Sequence, residues 1–433
     1  MKNQKLDVQL KAVHDAVLYS EDHTLYGSLS MTPPDFEEAD RPALNISIAL
    51  DVSGSMCGPK LEAAKVSLLK LVEHLSDKDL LSLTVFGSMV DTVVTHMSLT
   101  AENKVRASAA IKGIQVLGCT NLSGGLLAAL KLLKESPSTF DGVKKCLIFT
   151  DGLANEGIVD GGVLARTVMD FAEKIQISSF GYGSDHNDKM LTEIAQGGSF
   201  YYIKTPDEII KAFSVELGGL ISTYAQNVKI TLSPKKGVKI LNVLNDFKTT
   251  EVDGNWEIVC DNLLAGQRAF IGFEFKVDKK AKAFPRKSTI VKANIEYFSL
   301  IEKKFLTQEI SLKLRFSKDA STKEDKSVLE DIAVLKIANA HNSAQFFADK
   351  GMLKEAQGVL LAASDFAQKI NTAFSGKLAN SNNKLINTAY FSQEVYASTG
   401  SKTSRSVGSS LRTGRGISDE WYVASKNTDP NSK

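Results

Sequence analysis

Apolar and polar positions divide the chain into stretches of different period. Residues 44–50 form a short, largely apolar run between Pro42 and Gly54, with the length and composition of one buried strand. Pro59 then opens a helical pattern at Leu61, Ala64, Leu68, Leu71, Val72 and Leu75, and proline suits a first helical turn. From there to residue 225 strands and helices alternate. Strands are expected at 81–86, 145–150, 175–180 and 200–203, with 90–97 as an antiparallel edge strand. Helices are expected at 101–113, 122–134, 163–174, 189–196 and from 205 to about 224. That alternation predicts an α/β fold with a doubly wound, mostly parallel sheet over residues 41–225.

The flanking stretches read differently. After Gln226 the period becomes two: Val228, Ile230 and Leu232 alternate with polar residues, as do Trp256, Ile258 and Cys260, then 270–277, 290–297 and 305–316. Turn residues such as Asp253-Gly254-Asn255 separate them, so residues 226–320 read as a β-sandwich. Residues 1–40 contain two further extended segments between 6 and 31, expected to pair with those later strands. Residues 321–375 return to the helical period and predict a hairpin of two helices broken at Gly351. From 376 to 433 Ser, Asn, Thr, Gly, Lys and Arg dominate, and a largely disordered tail is expected.

Chemistry concentrates where the first strand ends. Asp51 is followed by Ser53 and Ser55, with Gly54 between them to let the backbone turn sharply. Open α/β sheets carry their ligands at the carboxyl ends of strands. The simpler reading is that Asp51 and the serines only cap the helix at Pro59. Asp51-Val52-Ser53-Gly54-Ser55 resembles the Asp-x-Ser-x-Ser signature of von Willebrand factor A domains. Gly118-Cys119-Thr120-Asn121-Leu122 resembles that family's threonine loop, and the stretch from Leu147 to Gly152 resembles the strand ending in its second aspartate. The resemblance covers roughly residues 40 to 225. It implies a metal-ion-dependent adhesion site built from Asp51, Ser53, Ser55, Thr120 and Asp151, holding Mg2+, with Mn2+ or Ca2+ as substitutes. It also implies that a partner protein supplies an Asp or Glu to the metal. A VWA domain inserted in or joined to a β-sandwich is the arrangement of some intracellular and bacterial relatives.

Magnesium takes oxygen ligands in octahedral geometry and retains waters. Hydroxyls are neutral, weak donors, so a cation held largely by Ser53, Ser55 and Thr120 stays electrophilic and can accept an outside carboxylate. The family threonine usually follows a glycine, whereas Cys119 stands there, and Cys57 follows the serine loop. Both are expected to be small buried thiols. The alternative is a redox-sensitive pair beside the site.

Composition adds limits. The 433 residues are 43% hydrophobic and 24% charged with a net charge of +2, ordinary for a soluble globular chain of two or three domains. No apolar run approaches the ~18 residues of a membrane span. The opening Met1-Lys2-Asn3-Gln4-Lys5 has no apolar core of a signal peptide, and the four cysteines show no metal-ligand spacing, which together favour the cytoplasm. The tail from 377 carries eight basic and four acidic residues, net +4. Its arginines 405, 412 and 415 suit acidic partners, with nucleic acid a weaker alternative. Gly54 to Lys60 superficially resembles a P-loop, but the spacing is wrong and Leu61 replaces the Ser or Thr. His186 reads as part of a polar turn; the alternative is that it reaches the metal face, since that loop also follows a strand. The expectation is therefore a non-enzymatic, intracellular protein-binding adaptor. The alternatives are a RING-less, substrate-recruiting relative of VWA-containing ubiquitin ligases, or a metal-dependent hydrolase.

Overall fold

The computed structural model describes residues 5–18, 21–35, 41–151, 154–172, 175–183, 187–195, 197–260, 262–278, 287–317, 323–396 and 402–405. They fall into two compact units. Unit 1 takes the chain up to Arg41 and again from Ser222 to Tyr396; unit 2 takes Pro42–Ile221 together with residues 402–405.

The chain enters unit 1 with β1 (Asp7–Ala12), β2 (Ala16–Leu18) and β3 (His23–Thr32). It then builds unit 2 around a six-stranded sheet. Its strands are β4 (Ala43–Asp51), β5 (Leu80–Phe86), β6 (Val90–Ser98), β7 (Gly142–Thr150), β8 (Gln176–Tyr182) and β9 (Gly197–Ile203). Their order is β6-β5-β4-β7-β8-β9. All pairs are parallel except β5 with β6, whose short connection through Gly87 permits only an antiparallel return. The central strand β4 is buried along almost its whole length, which is why it reads as a continuous apolar run.

Helices cover both faces: α1 (Pro59–His74), α2 (Ala101–Gly113), α3 (Leu122–Lys134), α4 (Gly161–Ala172), α5 (Asp188–Ile194) and α6 (Pro206–Ile221). Leu126, Leu130 and Leu133 of α3 and Leu164 and Val168 of α4 join Ala49, Ile148 and Ile177 of the sheet in one core. The other face is filled by aromatic rings. Phe149 stacks on Phe180 at 4.5 Å, and Phe213 of α6 lies 5.8 Å from Phe149. A lysine is buried here too: Lys145 of β7 pairs with Glu216 of α6 at 2.8 Å, and Glu216 also accepts from the Tyr201 hydroxyl at 2.9 Å. α6 stops at Ile221, earlier than its period predicts, because Thr223 already pairs with Leu264 of unit 1.

Unit 1 resumes with β10 (Thr223–Pro234), β11 (Val238–Val243), β12 (Lys248–Val252), β13 (Asn255–Cys260), β14 (Leu263–Leu264), β15 (Ala269–Val277), β16 (Lys287–Ser299) and β17 (Lys304–Ser317). They form two sheets with the N-terminal strands. One is β1-β3-β15-β11, fully antiparallel. The other runs β12-β13-β10-β16-β17-β2, with β14 beside β10. The N-terminal segments thus pair with strands some 240 to 300 residues away, β3 with β15 and β2 in parallel with β17.

Helices α7 (Lys326–Asp349), α8 (Leu353–Ile370) and α9 (Ala373–Ala389) follow, then a short turn of helix, α10 (Gln393–Val395). Gly351, at φ 78°, ends the first arm of the expected hairpin. The expectation of a disordered tail from 376 fails at α9. Leu378, Ala379, Leu385, Ile386 and Ala389 are buried on one face. Asn382 is buried with them and donates to Leu360 O at 2.9 Å and Ser364 Oγ at 2.8 Å. The Ser- and Asn-rich composition concealed this period because several of the polar residues face inward and are paired there. Thr372 caps α9 reciprocally with Ser375. Beyond 396 only residues 402–405 are described, so Arg412 and Arg415 lie outside the described residues, as does His186.

Candidate metal centre

The loops leaving β4, β5 and β7 meet at the carboxyl edge of the sheet. Leu117 N donates to Val52 O at 2.6 Å and Gly54 N to Gly118 O at 2.9 Å, fastening the serine loop to the threonine loop. Asn121 N donates to Gly87 O at 3.0 Å, tying in the turn after β5. That approach requires Gly87: a Cβ there would lie 1.8 Å from Leu117 O. Asn155 N donates to Thr120 O at 3.0 Å, joining the segment after β7.

The residues singled out from the sequence are placed as follows. Asp51 ends β4 and is fully buried. Its Oδ1 accepts from Ser53 N at 2.8 Å and its Oδ2 from the Thr150 hydroxyl at 2.6 Å. Burial pushes the Asp51 carboxyl above its ordinary value, against the pull of the Thr150 and Ser53 hydrogen bonds; the nearby Asp151 charge pushes it up further. Ser53 Oγ and Ser55 Oγ lie 3.1 Å apart, and Ser55 Oγ donates to Asp151 Oδ1 at 2.6 Å. Thr120 and Asp151 are 3% and 1% exposed. Ser53, Ser55 and Asp151 therefore converge, Asp51 stands directly behind Ser53, and Thr120 lies on the loop bonded to Gly54 through its neighbour Gly118.

Helix capping does not explain these residues. The N-cap of α1 is Gly58, with φ 83°, and it has no side-chain cap. Ser53 and Ser55 belong instead to a short 3-10 turn, and Ser53 makes no cap bond there either. The helix leaving the threonine loop, α3, is capped by another residue: Asn121 Oδ1 accepts from Gly124 N at 2.9 Å.

Two residues escaped the sequence reading. In sequence Thr150 is only the end of a strand, yet in the fold it braces Asp51. Lys60 carries no motif of its own, yet its Nζ donates to Asp151 Oδ2 and lies 5.5 Å from the centre of the Tyr182 ring. A signal for Lys60 exists: a lysine in the first turn of a helix opposes the macrodipole and so calls for a carboxylate. The thiols also depart from expectation. Cys57 and Cys119 are free and exposed; the buried cysteine is Cys146, whose thiol burial pushes up to about 12.

A hard divalent cation fits this arrangement. Two carboxylates, almost completely buried, lie in one another's field, and Lys60 pairs with one of them. The adjacent oxygens are hydroxyls and carboxylates, the donor set of Mg2+, Mn2+ and Ca2+. Among the described residues no group of three or more His, Cys, Asp and Glu gathers anywhere, this centre included, whose acids are two and whose other oxygens are hydroxyls.

Comparison with known proteins agrees with the fold. Residues 44–202 match the von Willebrand factor type A domain family. The inter-alpha-trypsin inhibitor heavy chain H3 of Homo sapiens is 29% identical over 157 residues, 35% of this chain but 18% of that protein. An uncharacterized protein of Synechocystis is 30% identical over 176 residues, 40% of each chain. The matched stretch thus spans far less than the full length of these relatives. Among solved structures, a von Willebrand factor type A protein from Catenulispora acidiphila superimposes with a TM-score of 0.69 at 16% identity, covering 90% of this chain and 91% of its own. The ArnB paralog VWA2 from Sulfolobus acidocaldarius gives 0.58 at 17% identity, covering 93% and 99%. With its six-stranded sheet, its helices on both faces and the matching stretch of sequence, this chain carries a von Willebrand factor type A domain at residues 44–202.

Proposed function

We propose that this domain holds a divalent cation, Mg2+ in the first instance, through Ser53, Ser55 and Thr120 with Asp51 and Asp151, and uses it to capture an acidic side chain of a partner protein. The observation carrying this reading is the meeting of Ser53, Ser55 and Asp151 at hydrogen-bond distance, from segments 96 residues apart, at the carboxyl edge of the sheet. The cation supplies an electrophilic point for a carboxylate. Everything else falls to the chain: Thr150 and Ser53 N fix the Asp51 carboxylate, and the loop bonds at Gly54 and Gly118 hold the hydroxyls together. Met89 and Leu117 stand 75% and 48% exposed on the turns bonded to this loop set, an apolar rim suited to a partner whose acid is flanked by apolar residues. No covalent step is part of the proposal. The free cysteines suit a reducing, intracellular setting.

One carboxylate contact and a standard interface of about 1,600 Å² would give a complex of micromolar order, roughly −8 kcal/mol. Titration calorimetry of the purified chain with Mg2+ and Mn2+ tests the metal step. The wild type should bind one ion, and Asp51→Ala and Thr120→Ala should each lose most of that affinity while keeping their circular dichroism. Equal binding by all three proteins would overturn the reading. Partner capture should then require Mg2+ and fail in chelator.

A further inference from the structure

Residues 402–405, Lys-Thr-Ser-Arg, form one helical turn that belongs with unit 2, although the chain has by then left that unit for more than 170 residues. Arg405 Nε donates to Asp188 Oδ2 at 2.6 Å, and Lys402 Nζ lies 3.8 Å from Oδ1 of the same carboxylate. The two cations are three residues apart and so share a helix face. The contact is not a loose surface pair: the Arg405, Lys402 and Asp188 side chains are 11%, 8% and 15% exposed. Thr403 is 7% exposed and Ser404 is fully buried. Asp188 opens α5 just after β8, at the same edge of the sheet as Asp151, and its charge also reaches Tyr202.

We infer that the surface around Asp188 is a receptor site for a short basic peptide turn bearing hydroxyls, and that residues 402–405 are its resident ligand, bound within the same chain. Desolvated charge pairs with a shared carboxylate give the site its selectivity for two cations at this spacing. Because ligand and receptor belong to one chain, their association does not depend on protein concentration. Ser404 makes the docking sensitive to charge. A carboxylate or phosphate at this fully buried position, next in the chain to Arg405, carries a desolvation cost and competes with Asp188 for the arginine, so it expels the turn. The inference stands on unit 2 alone and does not depend on the metal reading.

Hydrogen exchange of the full-length chain, read by mass spectrometry at 402–405, is the test. The wild type should be protected about tenfold or more relative to a free peptide spanning 398–410. Asp188→Asn, Arg405→Gln and Ser404→Glu should each bring these amides to the peptide rate while α3 and β7 keep theirs. Arg405→Lys, which keeps the charge, should retain more protection than Arg405→Gln. Peptide-like exchange in the wild type, or protection that survives all three substitutions, would overturn the inference. So would protection that grows with protein concentration, which would assign the ligand to a second copy.

Discussion

Lys60 offers the sharpest way to probe the proposed centre. Its ammonium is paired to Asp151, a carboxylate whose side chain has no exposure, while the lysine side chain keeps 28%. A metal drawing on Asp151 competes with that ammonium for the same carboxylate. A hydrogen bond to a charged group contributes about 1.5–3 kcal/mol, and rehydration of the partly exposed lysine on release brings the cost of displacing it to the lower end. Each 1.4 kcal/mol is about tenfold in affinity. Lys60→Met, which keeps the stem packed and removes the charge, should therefore bind Mg2+ or Mn2+ about tenfold more tightly in titration calorimetry. The same substitution leaves two buried carboxylates without a cation when metal is absent. In chelator the variant should lose about 1–2 kcal/mol, a fall of roughly 3–6 °C in Tm for a domain of this size. Saturating metal should close the gap to wild type. Weaker metal binding in Lys60→Met would refute the argument, because it would make the lysine a support of the centre and not its competitor.

Three other expectations concern stability and reactivity. His341 is wholly buried, and desolvation lowers it from 6.5 to about 4 despite a hydrogen bond with Asn382. Between those values the unfolded chain binds a proton that the folded one does not, so stability is lost as pH falls from about 6.5 towards 4, by about 3 kcal/mol. Urea unfolding at pH 7 and pH 4.5 should show a smaller difference in His341→Gln; an unchanged slope would contradict this. Gly125→Ala should destabilise unit 2 by about 1–3 kcal/mol in thermal melts, even though alanine favours helices, because the new Cβ would lie 2.2 Å from the buried Phe86 ring. Iodoacetamide on the native chain should label Cys57 and Cys119 and spare Cys146 until denaturant is added; peptide mass mapping would show the reverse if the exposure pattern were wrong.

The chain's local patterns were enough to determine the domain's elements and their order. The helices at 101–113 and 122–134 are those the period predicts, because each has a cap and an apolar stripe of its own. The carboxylates and hydroxyls of the candidate centre were legible too, since a strand end followed by Asp-x-Ser-x-Ser is a local signature. What tertiary structure alone decided are relations between distant residues. The partition of unit 1 strands into two sheets rests on pairings such as Phe275 with Leu25. The helix at 373–389 gains its order from packing on α8, which local composition does not record. Cys57 and Cys119 are exposed on loops that meet only in the fold, and Lys60 and Arg405 acquire meaning only from the carboxylates opposite them. A side chain's period is written in its neighbours along the chain, but its electrostatic partner is set by folding.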